Sequence, residues 1–118
     1  MIKYEVLFYE KENGECPVEE FVLSQDVKMY AKLVGLLKIL EEKGIALREP
    51  YSKYLEDGIF ELRCKLGSNH TRVLYFFYSG RKIILTNGFV KKTQRTPKKE
   101  IRLAQKRRDD YIERMNIE

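Results

Sequence analysis

Glu61-Leu62-Arg63-Cys64-Lys65 alternates polar and apolar side chains, the pattern of a half-buried strand. Arg72 follows at the head of the apolar run Val73 to Tyr78. A third run, Lys82 to Val90, continues into Lys91-Lys92-Thr93-Gln94-Arg95-Thr96-Pro97. The connections Leu66–Thr71 and Ser79-Gly80-Arg81 are short enough for antiparallel hairpins. Alternate strand residues share a face, so Arg63 and Lys65 point the same way and Arg72 lies across the turn. Cations held on one rigid sheet repel each other unless an anion joins them. A polyphosphate chain is the first candidate.

Upstream, Ile2 to Tyr9 reads as a strand, with Val6 and Phe8 on one side and Glu5, Leu7 and Tyr9 on the other. Pro17 suits the first turn of a short helix to about Ser24, with Glu19 and Glu20 near its positive end. Ser24 or Asp26 can cap a longer helix. Its apolar stripe comprises Tyr30, Ala31, Leu33, Val34, Leu36, Leu37 and Leu40, and Gly44 is its stop. Residues 45–58 look irregular. Thr96-Pro97 reads as cap and first residue of a last helix, with Ile101, Ala104, Tyr111 and Met115 as a thin apolar stripe. The predicted order is β-α-α-β-β-β-α. It describes one α+β domain over 1–118, with helices on one face of a mostly antiparallel sheet and the other face partly open.

The 118 residues suffice for one modest core. Residues 1–58 carry 8 Lys/Arg against 12 Asp/Glu, and residues 59–118 carry 15 against 6. That asymmetry predicts one polyanion-facing surface. No apolar run reaches the roughly 18 residues of a membrane span, and Met1-Ile2-Lys3-Tyr4-Glu5 has no signal-peptide core, so a cytoplasmic location is expected. Cys16 and Cys64 form neither a disulfide framework nor a metal-ligand spacing. No metal and no small-molecule cofactor is expected.

Three fragments in order resemble the RelE/ParE superfamily of bacterial toxins, and most closely its HigB-type, phage-related branch. They are Gly58-Ile59-Phe60-Glu61-Leu62-Arg63, Arg72-Val73-Leu74-Tyr75, and Gly88 to Pro97, followed by Glu100-Ile101 and Ala104. The resemblance implies a RelE-like fold and cleavage of mRNA on the translating ribosome. It also implies inhibition by a cognate antitoxin, often with a helix-turn-helix. Family RNases place a Lys or Arg on the second strand, where Arg63 and Lys65 match, and an Arg at the start of the third, where Arg72 matches. A basic residue follows the fourth strand, where Lys91 or Lys92 matches and Lys92 aligns better. Some members have Lys where this chain has Glu61, and some carry a C-terminal catalytic Tyr or His. Here the last helix offers only Tyr111, which its spacing assigns to the core.

RNA cleaves itself when its 2′-OH attacks the adjacent phosphate. Such a site removes that proton, neutralises the phosphorane and protonates the leaving 5′-oxygen. Arg63 and Arg72 suit the phosphate. Lys65 or Lys92 suits the leaving group, because crowded cations lower a lysine pKa. Glu61 is either the base or an ion-pair partner that orients Arg63. His70, the only histidine, reads as a turn residue that could contact RNA, together with Lys91, Arg95, Lys98 and Lys99. The more distal helix cations read as solvated. Phe76 or Phe89 could stack a base on the open face. Two rival readings share this sequence: a gyrase-directed toxin of the ParE type, and a non-catalytic nucleic-acid-binding module.

Overall fold

A computed structural model describes residues 3–117. The elements are β1 (Glu5–Phe8), α1 (Pro17–Leu23), α2 (Val27–Lys43), a single 3₁₀ turn (Gly44–Ala46), β2 (Ser52–Glu56), β3 (Ile59–Leu66), β4 (Asn69–Tyr78), β5 (Lys82–Val90) and α3 (Lys98–Ile117). One five-stranded sheet has the order β1-β5-β4-β3-β2. Only β1 and β5 pair in parallel; the other pairs are antiparallel. The fold is α+β and compatible with the RelE-like architecture.

Local signals explain the elements. Asp26 caps α2, its Oδ1 accepting from Met29 N–H at 2.9 Å. Gly44 ends α2 with a φ of 51°, and any Cβ there would collide with the Tyr4 ring. Cys64 is buried on the inner face of β3 against Met29, its thiol 3.6 Å from the thioether. The α2 stripe is centred on Met29, Leu33, Leu36 and Leu40, whereas Tyr30 and Ala31 stay exposed. Of the expected stripe, Leu33, Leu36 and Leu40 are buried and Val34 and Leu37 half-buried, while Met29 takes the inward place at the start of the helix.

Several expectations are corrected. Residues 52–56, expected to be irregular, form β2, an edge strand joined to β3 through Asp57-Gly58. Both turn residues have positive φ, 50° and 78°, as a tight hairpin requires. The β3–β4 connection is only Gly67-Ser68, so His70 lies on β4 opposite Lys65 instead of in a turn. The first strand is shorter than expected, and Ile2 lies outside the described residues.

The sheet has two covered faces, not one. On one, Leu62, Cys64, Val73, Tyr75, Ile83 and Leu85 pack against α1 and α2. On the other, Ile59, Leu74, Phe76 and Ile84 meet Ala104 and Tyr111 of α3. Tyr111 packs edge-on to Phe76 and Tyr78, so Phe76 is buried and unable to stack on a base. Arg107 and Arg108, read as solvated, anchor α3. Arg107 donates to Thr86 O at 2.9 Å and lies over the Tyr9 ring, and Arg108 pairs with Asp57 at 3.0 Å. The helix starts at Lys98, one residue later than expected. Among the described residues no helix is long and apolar enough to cross a membrane.

Candidate active site

The α3 side of the sheet beyond that helix carries a cluster of charged side chains. Phe60, Leu62, Cys64 and Leu66 face α1 and α2, so alternation turns Glu61, Arg63 and Lys65 to the opposite side. Register does the same on β4: Arg63 lies directly opposite Arg72, and Lys65 opposite His70. The two arginines are therefore a cross-strand pair, where like charges repel unless something neutralises them.

Glu61 supplies that neutralisation from within the protein. It is fully buried, and its Oε1 accepts from Arg63 Nε at 3.0 Å and lies 3.5 Å from Arg72 Nε. Its Oε2 accepts from the Thr96 hydroxyl. Thr96 was expected to cap α3, but its hydroxyl goes to the buried carboxylate. Arg63 also reaches Glu49 at 3.3 Å and remains about a quarter exposed. Arg72 is 7% exposed and donates from Nη1 to Thr71 O at 3.2 Å, while its Nε makes no hydrogen bond. One buried carboxylate thus serves both guanidinium groups, and the exposed Glu49 adds a second, solvent-screened partner to Arg63.

Lys91 joins this group. The backbone ladder continues past β5, with Lys91 N–H donating to His70 O at 2.7 Å. Phe89 pairs with Arg72 and Val90 with Thr71, so alternation carries Lys91 to the Arg72 side. Burial lowers the Lys91 pKa from 10.5, and Arg72, Arg63 and Lys53 push it the same way while Glu61 opposes them. Burial also lowers the Arg72 pKa, with Arg63 adding to it and Glu61 opposing. Lys92, the better match by alignment, is exposed.

His70, Arg72, Lys91 and Lys92 line one cavity of about 630 Å³ with Ser68, Thr93 and Gln94. A second cleft, of about 860 Å³, runs between β2 and the start of α3, with Lys53, Arg95 and Lys98 on its walls. Lys99 is exposed on the first turn of α3 and borders neither cavity. Lys65 is exposed at the β3 end. The sequence reading missed Lys53, which pairs across from Glu61 and acts electrostatically on Lys91. Its signal was the Asp57-Gly58 turn, which implies a strand before it as well as after it. Among the described residues no three His, Cys, Asp or Glu side chains gather as a metal site.

A family model described as "Phage derived protein Gp49-like" matches residues 20–109, a span that includes every residue of this cluster. The chain belongs to the Gp49-like family. That family is one of RelE/HigB-like toxins of toxin–antitoxin pairs, so the resemblance holds at the level of the toxin superfamily. Membership implies a cognate antitoxin as partner of this Gp49-like chain. No curated protein matches the sequence. In the Gp49-like chain the match covers β2 to β5 in full and the first half of α3, which are the elements that hold the cations.

Proposed function

We propose that this toxin is a HigB-type, ribosome-dependent endoribonuclease that cleaves translated mRNA without a metal ion. The observation that carries the reading is Arg72, a nearly buried guanidinium held beside Arg63 by Glu61 and lining a cavity shared with His70 and Lys91. A phosphate seated there gains charge-assisted hydrogen bonds from groups already held in place.

The 2′-oxygen attacks phosphorus and forms the 2′,3′-cyclic phosphate, and the bond from phosphorus to the 5′-oxygen breaks. Arg63 and Arg72 neutralise the phosphorane. Lys91 donates the proton to the departing 5′-oxygen, a task its lowered pKa favours. This replaces Lys65 and Lys92 in that role, and leaves both to bind the RNA backbone with Lys53, Arg95, Lys98 and Lys99. Glu61 positions the two arginines, because both of its oxygens are engaged and it is closed to solvent. The 2′-OH proton goes to His70. Its imidazole lines the same cavity and offers a ring nitrogen that can accept a proton. With only these few groups, catalysis depends on the ribosome to hold the message in line.

Mapping of mRNA ends on ribosomes after induction tests the reading. Cleavage within translated messages, lost in Arg72→Ala, is the expected result. Intact messages with arrested DNA supercoiling would instead assign the toxin to gyrase, and intact messages with RNA binding alone would assign it to the non-catalytic module.

A further inference from the structure

Glu61 uses its two oxygens on different parts of the chain. Oε1 accepts from Arg63 Nε at 3.0 Å and stands 3.5 Å from Arg72 Nε, while Oε2 accepts from the Thr96 hydroxyl. Arg63 and Arg72 belong to β3 and β4, but Thr96 lies beyond β5, in the segment 91–97 that carries the chain to α3. That segment leaves the sheet once Lys91 N–H has donated to His70 O. The Thr93 hydroxyl turns back on Arg95 O within the segment. The next anchor is Asn87, which donates to Glu100 in the first turn of α3 at 2.9 Å. Between those two anchors, the Thr96 hydroxyl makes the only hydrogen bond from the segment to the sheet among the described residues.

The energetics give that bond a direction. Glu61 is closed to solvent and Thr96 is half-buried, so water replaces the hydroxyl poorly. A buried carboxylate oxygen that loses its donor is costly and turns to another. Arg72 Nε, which makes no hydrogen bond, stands beside the same carboxylate. By occupying Oε2, Thr96 keeps Glu61 from closing onto Arg72.

We propose that Thr96 is a positioning residue of this site: its hydroxyl fixes the rotation of the Glu61 carboxylate, which leaves the Arg72 guanidinium to phosphate, and it holds the segment that bears Lys91 against the two arginines. The inference rests on the proposed nuclease reading and adds a residue that acts through Glu61. Lys91, Lys92 and Arg95 lie on the tethered segment, and Arg63 and Arg72 share the tethering carboxylate. One hydrogen bond therefore sets the spacing between the groups that neutralise the phosphorane and the group that protonates the 5′-oxygen. Misplacing such groups by about 1 Å costs up to about 10²-fold in rate.

The test compares the unchanged full-length toxin with three variants. Thr96→Val keeps the branched shape without the hydroxyl, Thr96→Ala removes both, and Thr96→Ser keeps the hydroxyl alone. Single-turnover mRNA cleavage is measured on ribosomes, with the folded fraction taken from urea melts. Thr96→Val and Thr96→Ala should cleave about 10- to 100-fold more slowly per folded molecule, and Thr96→Ser should recover most of the rate. Nitrogen-15 spectra of the arginine Nε–H groups read the geometry itself. The Arg72 resonance should move downfield in Thr96→Val and Thr96→Ala as Glu61 turns to it, and stay in place in Thr96→Ser. Unchanged cleavage without the hydroxyl overturns the inference. So does a Thr96→Ser variant as slow as Thr96→Val, which would assign the effect to packing of the methyl group. Arginine resonances indifferent to loss of the hydroxyl overturn it as well. Should the unchanged toxin leave mRNA intact on ribosomes, the nuclease reading falls, while the resonances still decide whether Thr96 orients Glu61.

Discussion

Arg72 combines burial, an Nε with no hydrogen bond closer than its 3.5 Å ion pair to Glu61, and a neighbouring guanidinium, a costly arrangement for stability alone. Removing it should relieve Glu61 of one partner and leave Arg63 to bind phosphate alone. Arg72→Ala is expected to lower single-turnover mRNA cleavage on ribosomes by about 10²- to 10³-fold, the effect of losing one preorganised donor. Far-ultraviolet circular dichroism should remain that of the unchanged toxin. Lys91 makes a pH prediction. Its pKa is lowered from 10.5 by burial and by Arg72, Arg63 and Lys53, so its acid form is lost at a lower pH than for a free lysine. Cleavage by the ribosome-bound toxin should fall as pH rises through that lowered pKa, and Lys91→Ala should remove this alkaline limb along with most of the rate. The alternation of β3 was legible in its residues, which is why Arg63 and Glu61 were placed on one face. The choice between Lys91 and Lys92 was not legible. It depends on Phe89 pairing with Arg72, a register set after an irregularity at residue 86 that no local pattern announces.

At the scale of elements, α3 decides which half of its face of the sheet stays open. It covers Leu74, Phe76 and Ile84 and leaves the Arg63–Arg72 end free. Arg107 is a large part of the attachment, with a hydrogen bond to Thr86 O and its guanidinium over the Tyr9 ring. Arg107→Ala should lower unfolding free energy by about 1.5–3 kcal/mol, read from urea melts, because a charged donor and a cation–π contact are lost together. Cleavage per folded molecule should be unchanged, since Arg107 does not line the catalytic cavity. Asp26→Ala removes the α2 cap, and should cost about 1 kcal/mol in the same melts. That cap, Pro17 and Gly44 were readable beforehand because each acts on its own neighbours. The α3 arginines were misread because their partners, Asp57, Thr86 and Tyr9, are remote in sequence.

Over the whole molecule, Arg72, Lys91 and Lys92 line one cavity, and Lys53, Arg95 and Lys98 line the cleft that adjoins it at Thr93 and Gln94. Ribosome binding should therefore weaken steeply with salt. Each phosphate contact contributes about 0.7 to the slope of log affinity against log salt on single-stranded RNA. The double variant Lys98→Ala/Lys99→Ala should flatten that slope by about 1.4 in co-sedimentation between 50 and 200 mM salt. An unchanged slope would place both lysines in solvent, away from RNA.

The amino-acid sequence by itself determined the α+β class, most of the element order, the Asp26 cap of α2, the hairpins from β3 to β5 and the gathering of cations on them. These follow from periodicity, turn chemistry and charge, all of which act over a few residues. Only the tertiary structure decided that β2 exists as an edge strand bringing Lys53 to the cluster, and that α3 covers the second face. It alone joined Glu61 to both arginines and to Thr96, and put Lys91 inward of Lys92. The physical reason is that each of these depends on strand register or on contacts between distant segments. Those contacts are selected by the packing of the whole core, and no short stretch of the chain encodes them.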